Sequence, residues 1–174
     1  FDGGAGMLQA LGATFYDDEA QIVDMRKGAY LIKYIRRIDL SGVHPQLTKV
    51  NIQLMSDFSS RLYGKKSEIM QTYESLDLSQ NEAAEIDNLI WYFSELFKNE
   101  LKIAMGPIER GGAGGGIAAV LNSLYQAEIL TSHELVNQIT HLENLIQQAD
   151  LIIFGEGLKE EDQILETTTI HVLL

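Results

Sequence analysis

The sequence predicts an α/β protein, a mixed or parallel sheet with flanking helices. Three observations carry that reading. Val50-Asn51-Ile52-Gln53-Leu54-Met55 alternates apolar and polar residues, the period of a half-buried strand. Ile86, Leu89, Ile90, Phe93, Leu96 and Phe97 recur at helical spacing, and Ser79-Gln80-Asn81-Glu82 ahead of them has the form of a capping box. Leu151-Ile152-Ile153-Phe154 is a short apolar run of the kind buried in a sheet, closed by Gly155-Glu156-Gly157. Strands alternating with helices define the α/β class. In that class ligands bind beyond the carboxyl ends of the strands.

The other elements follow in chain order. Asp2-Gly3-Gly4-Ala5-Gly6 opens a short helix through Met7, Leu8, Ala10 and Leu11, with Gly12 placed to end it. Ala13 to Tyr16 reads as a strand, and Asp17-Asp18-Glu19 as a turn that would fold Gln21-Ile22-Val23 back on it in a hairpin. Ala29 to Ile38, apolar at 31, 32, 35 and 38, carries a helical pattern. Ser59 to Ser75, with Tyr63-Gly64 and Lys65-Lys66, reads as an exposed connection. Gly111 to Gly116 precedes a helix from Ile117 to Tyr125. A second capping box, Thr131-Ser132-His133-Glu134, opens a helix expected to continue through Ile146. Ile170 to Leu174 is a second buried-strand run.

The chain has 174 residues and a net charge of −12. Its length suits roughly one domain of ordinary size, and all 174 residues are expected to form a single α/β segment. The acidic balance argues against nucleic acid or an anionic membrane surface, which call for clustered Lys and Arg. With no cysteine there is no disulfide, no Cys-type zinc site, no Fe–S cluster and no thiol nucleophile. No membrane-length apolar stretch and no signal peptide are visible, so a cytoplasmic location is expected. The opening Phe1-Asp2-Gly3-Gly4 reads as the interior of a longer chain.

Four places could carry chemistry. Gly112, Gly114, Gly115 and Gly116 lie just before a helix, where successive backbone N–H groups and the helix start can hold a phosphate or carboxylate. Close backbone packing is the competing explanation. No Walker-type Gly-Lys-Ser/Thr follows. Gly3, Gly4 and Gly6 read the same way, with Asp2 either a metal or hydroxyl ligand or a helix N-cap. Asp57, just past a strand, could hold Mg²⁺ or accept a hydroxyl proton, or could be an ordinary strand-to-loop residue. Glu156, between Gly155 and Gly157, is presented outward by a tight turn, which favours a ligand. The histidines show no HExxH arrangement, and the metal ligands stay unassigned.

These segments, in this order, resemble the type-1 glycerate kinases. Asp2-Gly3-Gly4-Ala5-Gly6-Met7 with Ala10-Leu11-Gly12 is similar to the family's first glycine motif. Ile38-Asp39-Leu40-Ser41-Gly42-Val43-His44-Pro45-Gln46-Leu47, Ser56-Asp57, the run from Gly112 through Ala119, and Ala149-Asp150-Leu151-Ile152-Ile153-Phe154-Gly155-Glu156-Gly157 resemble four further motifs. The resemblance implies a segment of a two-domain fold, shortened at both ends. It also implies ATP-dependent phosphorylation of D-glycerate with Mg²⁺, Asp57 and Glu156 being the catalytic carboxylates and the glycines binding substrate and phosphate. Some family features are missing. Phe1 stands where the family has Asn, and its Phe-Gly-Pro-Gln-Lys-Gly loop is absent. Leu158-Lys159-Glu160 and Glu166-Thr167 replace an Arg and a Lys. Losing two cations weakens stabilisation of a transferring phosphoryl group. The alternative is therefore a catalytically degraded relative that binds a small organic acid or a partner protein, and the chain alone is expected to be inactive.

Overall fold

The computed structural model describes residues 1–153. The expected strand at Ile170–Leu174 and the Gly155-Glu156-Gly157 turn lie outside the described residues. The chain forms two compact units: Phe1–Leu54 with Phe58–Glu128, and a smaller one that takes Met55–Asp57 and the chain from Ile129 onward.

In the larger unit, helix α1 (Ala5–Ala10) ends where the sequence places its stop, with Gly12 at φ 111. Strand β1 (Thr14–Tyr16) pairs antiparallel with β2 (Arg37–Asp39), Phe15 facing Ile38. The expected hairpin is reduced to one bridge, Tyr16 with Ile22, and the Val23 N–H donating to Phe15 O at 2.9 Å. The expected helix from Ala29 to Ile38 is a 3₁₀ turn, Ala29–Tyr34, that gives way to β2. The cause is tethering from afar. Ile35 turns extended, the Arg36 N–H donates to Tyr16 O at 2.7 Å, and the Tyr92 hydroxyl donates to Ile35 O at 2.7 Å. The three-residue spacing of Ile32, Ile35 and Ile38, all buried, matches a 3₁₀ turn running into a strand as well as it matches a helix.

Helix α3 (Gln80–Leu101) organises the core. Ser79 Oγ accepts the Glu82 N–H, and Glu82 Oε2 accepts the Ser79 N–H at 2.8 Å, an N-cap worth about 1 kcal/mol. Its stripe buries Ile90, Phe93 and Phe97, with Phe93 edge-on to Phe15 at 5.8 Å and to Phe97 at 6.0 Å.

The stretch read as an exposed connection, Ser59 to Ser75, is instead partly core: Ser60, Leu62, Ser67 and Ile69 are buried, and Ser67 caps a short helix α2 (Glu68–Thr72). Asp87 of α3 holds it by accepting the Gly64 N–H and the Ser67 hydroxyl, the latter at 2.5 Å. Helix α4 (Ile117–Tyr125) appears as the sequence predicts and buries Ala118 through Leu121.

Strands β3 (Gln53–Met55) and β4 (Glu128–Leu130) form a second two-stranded sheet. In the smaller unit, the Thr131–Glu134 capping box opens α5 (Ser132–Thr140), with Glu134 Oε2 accepting the Thr131 N–H at 2.6 Å. The helix expected through Ile146 breaks at His141 (φ 53) and restarts as α6 (Leu142–Gln148). Asn137 bridges the break, its amide donating to Glu143 Oε1 and accepting the Glu143 N–H. The run at 151–153 is no buried strand: Leu151 and Ile153 are 77% and 87% exposed. An apolar run records a demand for burial, but it names no partner edge. Among the described residues no helix is long and apolar enough to cross a membrane.

Candidate functional site

The two glycine motifs that the sequence singles out meet each other. Gly3 and Gly4 have φ of 66 and 83, and Gly114, Gly115 and Gly116 have φ of 64, 67 and 107, all in the region where a side chain is strained. A Cβ on Gly116 would stand 2.5 Å from Gly3 Cα, and a Cβ on Gly4 would stand 2.9 Å from Gly116 O. Backbone crosses backbone at the start of α4, and only glycine permits it. Of the two readings of the run, close packing therefore accounts for Gly4 and Gly116. It also accounts for Gly112, where a Cβ would strike the Arg61 carbonyl and stand 2.7 Å from Ser60 Oγ. The Gly112 N–H donates to Ser60 O at 3.3 Å.

The middle of the run does hold an anion, one supplied by the chain itself. The Gly115 N–H donates to Glu68 Oε2 at 3.2 Å. Close by, Ser60 is 2% exposed and its hydroxyl has no hydrogen-bond partner. Arg110, directly before the run, has a buried Nε that is likewise unpartnered. Buried polar groups are nearly always paired, and of these atoms Ser60 Oγ lies against the run, 2.7 Å from where a Cβ on Gly112 would stand. Sequence reasoning assigned no role to Ser60, Glu68 or Arg110. For Arg110 the signal was its position at the head of the run; for Ser60 and Glu68 it was hidden in a stretch read as exposed.

Asp2 is engaged at the start of α1, Oδ1 accepting the Gly4 N–H at 3.0 Å and Oδ2 the Gly6 N–H at 2.8 Å. Both oxygens thus satisfy amides that a helix start leaves without partners. Asp57 belongs to the smaller unit, where its exposed carboxylate accepts the Ser132 N–H at 2.7 Å at the start of α5. Gly155, Glu156 and Gly157 lie outside the described residues. Among the described residues no three His, Asp or Glu side chains gather into a metal site.

Left-handed glycines ahead of a helix start can hold an anion through backbone N–H groups, and here the Gly115 amide holds the Glu68 carboxylate. The glycerate kinase family model matches residues 1–173, and the chain belongs to that family. It is 30% identical over 171 residues to a glycerate kinase of Halalkalibacterium halodurans, covering 98% of this chain and 44% of that protein. It is 30% identical over 163 residues to the glycerate 2-kinase of Escherichia coli, covering 94% and 42%. A crystal structure of a glycerate kinase 2 from Salmonella typhimurium LT2 superposes with a TM-score of 0.74 at 28% identity, covering 86% of this chain and 39% of that one. The chain therefore spans less than half the length of the curated relatives it matches. The α/β class and the family resemblance read from the motifs both hold.

Proposed function

We propose that this chain serves an ATP-dependent kinase that phosphorylates a hydroxyl of D-glycerate in the cytoplasm. The observation that carries the reading is the glycine run before α4, packed so closely against Gly3, Gly4 and Arg61 that only glycine fits, whose Gly115 amide holds a carboxylate. In this reading the backbone of Gly114 and Gly115 holds an anionic group of substrate or nucleotide, while Gly112 and Gly116, and Gly3, Gly4 and Gly6 ordered by Asp2, hold the run in shape through their close packing and internal hydrogen bonds. The resemblance to the family assigns the substrate hydroxyl and its proton to the carboxylates Asp57 and Glu156. The donors around the run fit phosphate oxygens. Mg²⁺ needs only one or two carboxylates when it arrives with a nucleotide, so a three-residue cluster is not required. Bound with ATP, the ion would neutralise charge on the phosphates.

A second reading, binding of a small organic acid without turnover, is favoured by Leu158-Lys159-Glu160 and Glu166-Thr167 standing where relatives of this kind have cations. A coupled ADP-release assay with D-glycerate and Mg·ATP separates the two. The full-length protein should turn over at an ordinary kinase rate of ~1–100 per second, while the 174-residue chain alone should show none. Glu156→Gln should lower full-length activity by ~10²–10⁴-fold with folding unchanged. Binding without ADP release in the full-length protein establishes the second reading, and absence of both refutes the two together.

A further inference from the structure

Glu68 is the first residue of α2, half-buried, and 47 positions away in sequence from the glycine whose amide it accepts. We propose that its carboxylate is an internal stand-in for the carboxylate of the bound acid, so that a small acid binds the glycine run only by displacing Glu68. The proposal rests on the reading of that run as the acid's site.

Three features support displacement over a fixed structural tether. Glu68 meets the run through one hydrogen bond, from Gly115 at 3.2 Å, at the end of a flexible side chain. The buried Ser60 hydroxyl, against Gly112 of the same run, is left without a partner. Ser60 Oγ faces the Gly112 backbone, 2.7 Å from where a Cβ there would stand. Tethered to α2, Glu68 meets the run with one oxygen, whereas a free carboxylate brings two oxygens to it. Charge gives the exclusion: two carboxylates on one cradle repel each other, so occupancy by the acid and by Glu68 are alternatives. When released, Glu68 remains at the N-terminal turn of α2, where a negative charge is favoured. Glu68 thereby sets the affinity for the acid, because a ligand whose site is open for only part of the time binds more weakly by that fraction.

The test follows the Gly115 amide by ¹⁵N–¹H spectroscopy in the 174-residue chain while acetate, D-glycerate and glycerol are titrated in. Wild type, Glu68→Ala, Glu68→Gln and Ser60→Ala are compared. Glu68→Ala should bind both acids on the order of tenfold more tightly than wild type, by removing the competing occupant. Glu68→Gln, which keeps an acceptor but loses the charge, should fall between them, and it carries the comparison if Glu68→Ala does not fold. Ser60→Ala should weaken acid binding. Glycerol, without a carboxylate, should leave Gly115 unmoved. Equal or weaker acid binding in both Glu68 variants overturns the proposal, since that is what a structural tether predicts. A glycerol response at Gly115 overturns it as well. Tighter binding of acetate, with D-glycerate no better than acetate, upholds the displacement and removes the glycerate reading instead.

Discussion

The crossing of Gly3 and Gly116 can be tested by adding one methyl group. In Gly116→Ala the new Cβ would lie 2.5 Å from both Cα and C of Gly3. Those are backbone atoms, and they have nowhere to retreat. Gly3 is itself at φ 66, a Cβ there would stand 3.1 Å from the Phe93 ring, and its neighbours Gly4 and Gly6 are held by Asp2. Two costs add. A side chain at φ 107 costs about 1–3 kcal/mol in backbone strain, and forcing a methyl into filled space costs about 1–3 kcal/mol more. Two controls separate them. Gly64→Ala carries strain alone, since Gly64 has φ 92 with nothing within 4 Å. Gly112→Ala carries the clash alone, at an ordinary φ of −71. Urea and thermal unfolding should rank Gly116→Ala as the most destabilising of the three. A loss of about 4 kcal/mol would lower Tm by roughly 8–16 °C in a chain of this size. If Gly116→Ala melts within about 0.5 kcal/mol of Gly64→Ala, the close approach does not exist and the packing account of the run fails.

Two further outcomes are expected. Phe93→Ala removes the ring that touches both Phe15 and Phe97 and should cost about 3–5 kcal/mol in urea unfolding; a loss below about 1 kcal/mol would place the core elsewhere. The Arg26 side chain, bonded to Asp24 at 2.8 Å, holds the Asp24 carboxyl down from 3.8 to about 2. A depressed carboxyl stabilises the fold above its unfolded value of 3.8, and that contribution fades as pH falls toward about 2. Arg26→Ala should return the Asp24 titration, followed by NMR, to the ordinary carboxylate range, and an unmoved midpoint would refute the pairing.

The sequence by itself determined what is decided within one helical turn. Ser79 with Glu82 and Thr131 with Glu134 are reciprocal partners three residues apart, so both helix starts were legible before any fold was known. The stripe from Ile86 to Phe97 and the limits of α4 were legible for the same reason, as were the five motifs that placed the chain in its family. Tertiary structure decided what depends on distant partners. Ile35 and Ile38 became turn and strand because Tyr92 and Tyr16 claim the backbone beside them. Ser59 to Ser75 folded inward because Asp87 supplies acceptors that its own composition does not show. The glycines could be singled out as a candidate site, but not that Gly3 and Gly4 lie against Gly116, more than a hundred positions along the chain. Nor could the sequence show that the carboxylate on the Gly115 amide would be Glu68. Caps and periodicity are local energies written in neighbouring residues, whereas close approach and charge placement exist only once the chain has brought remote segments together.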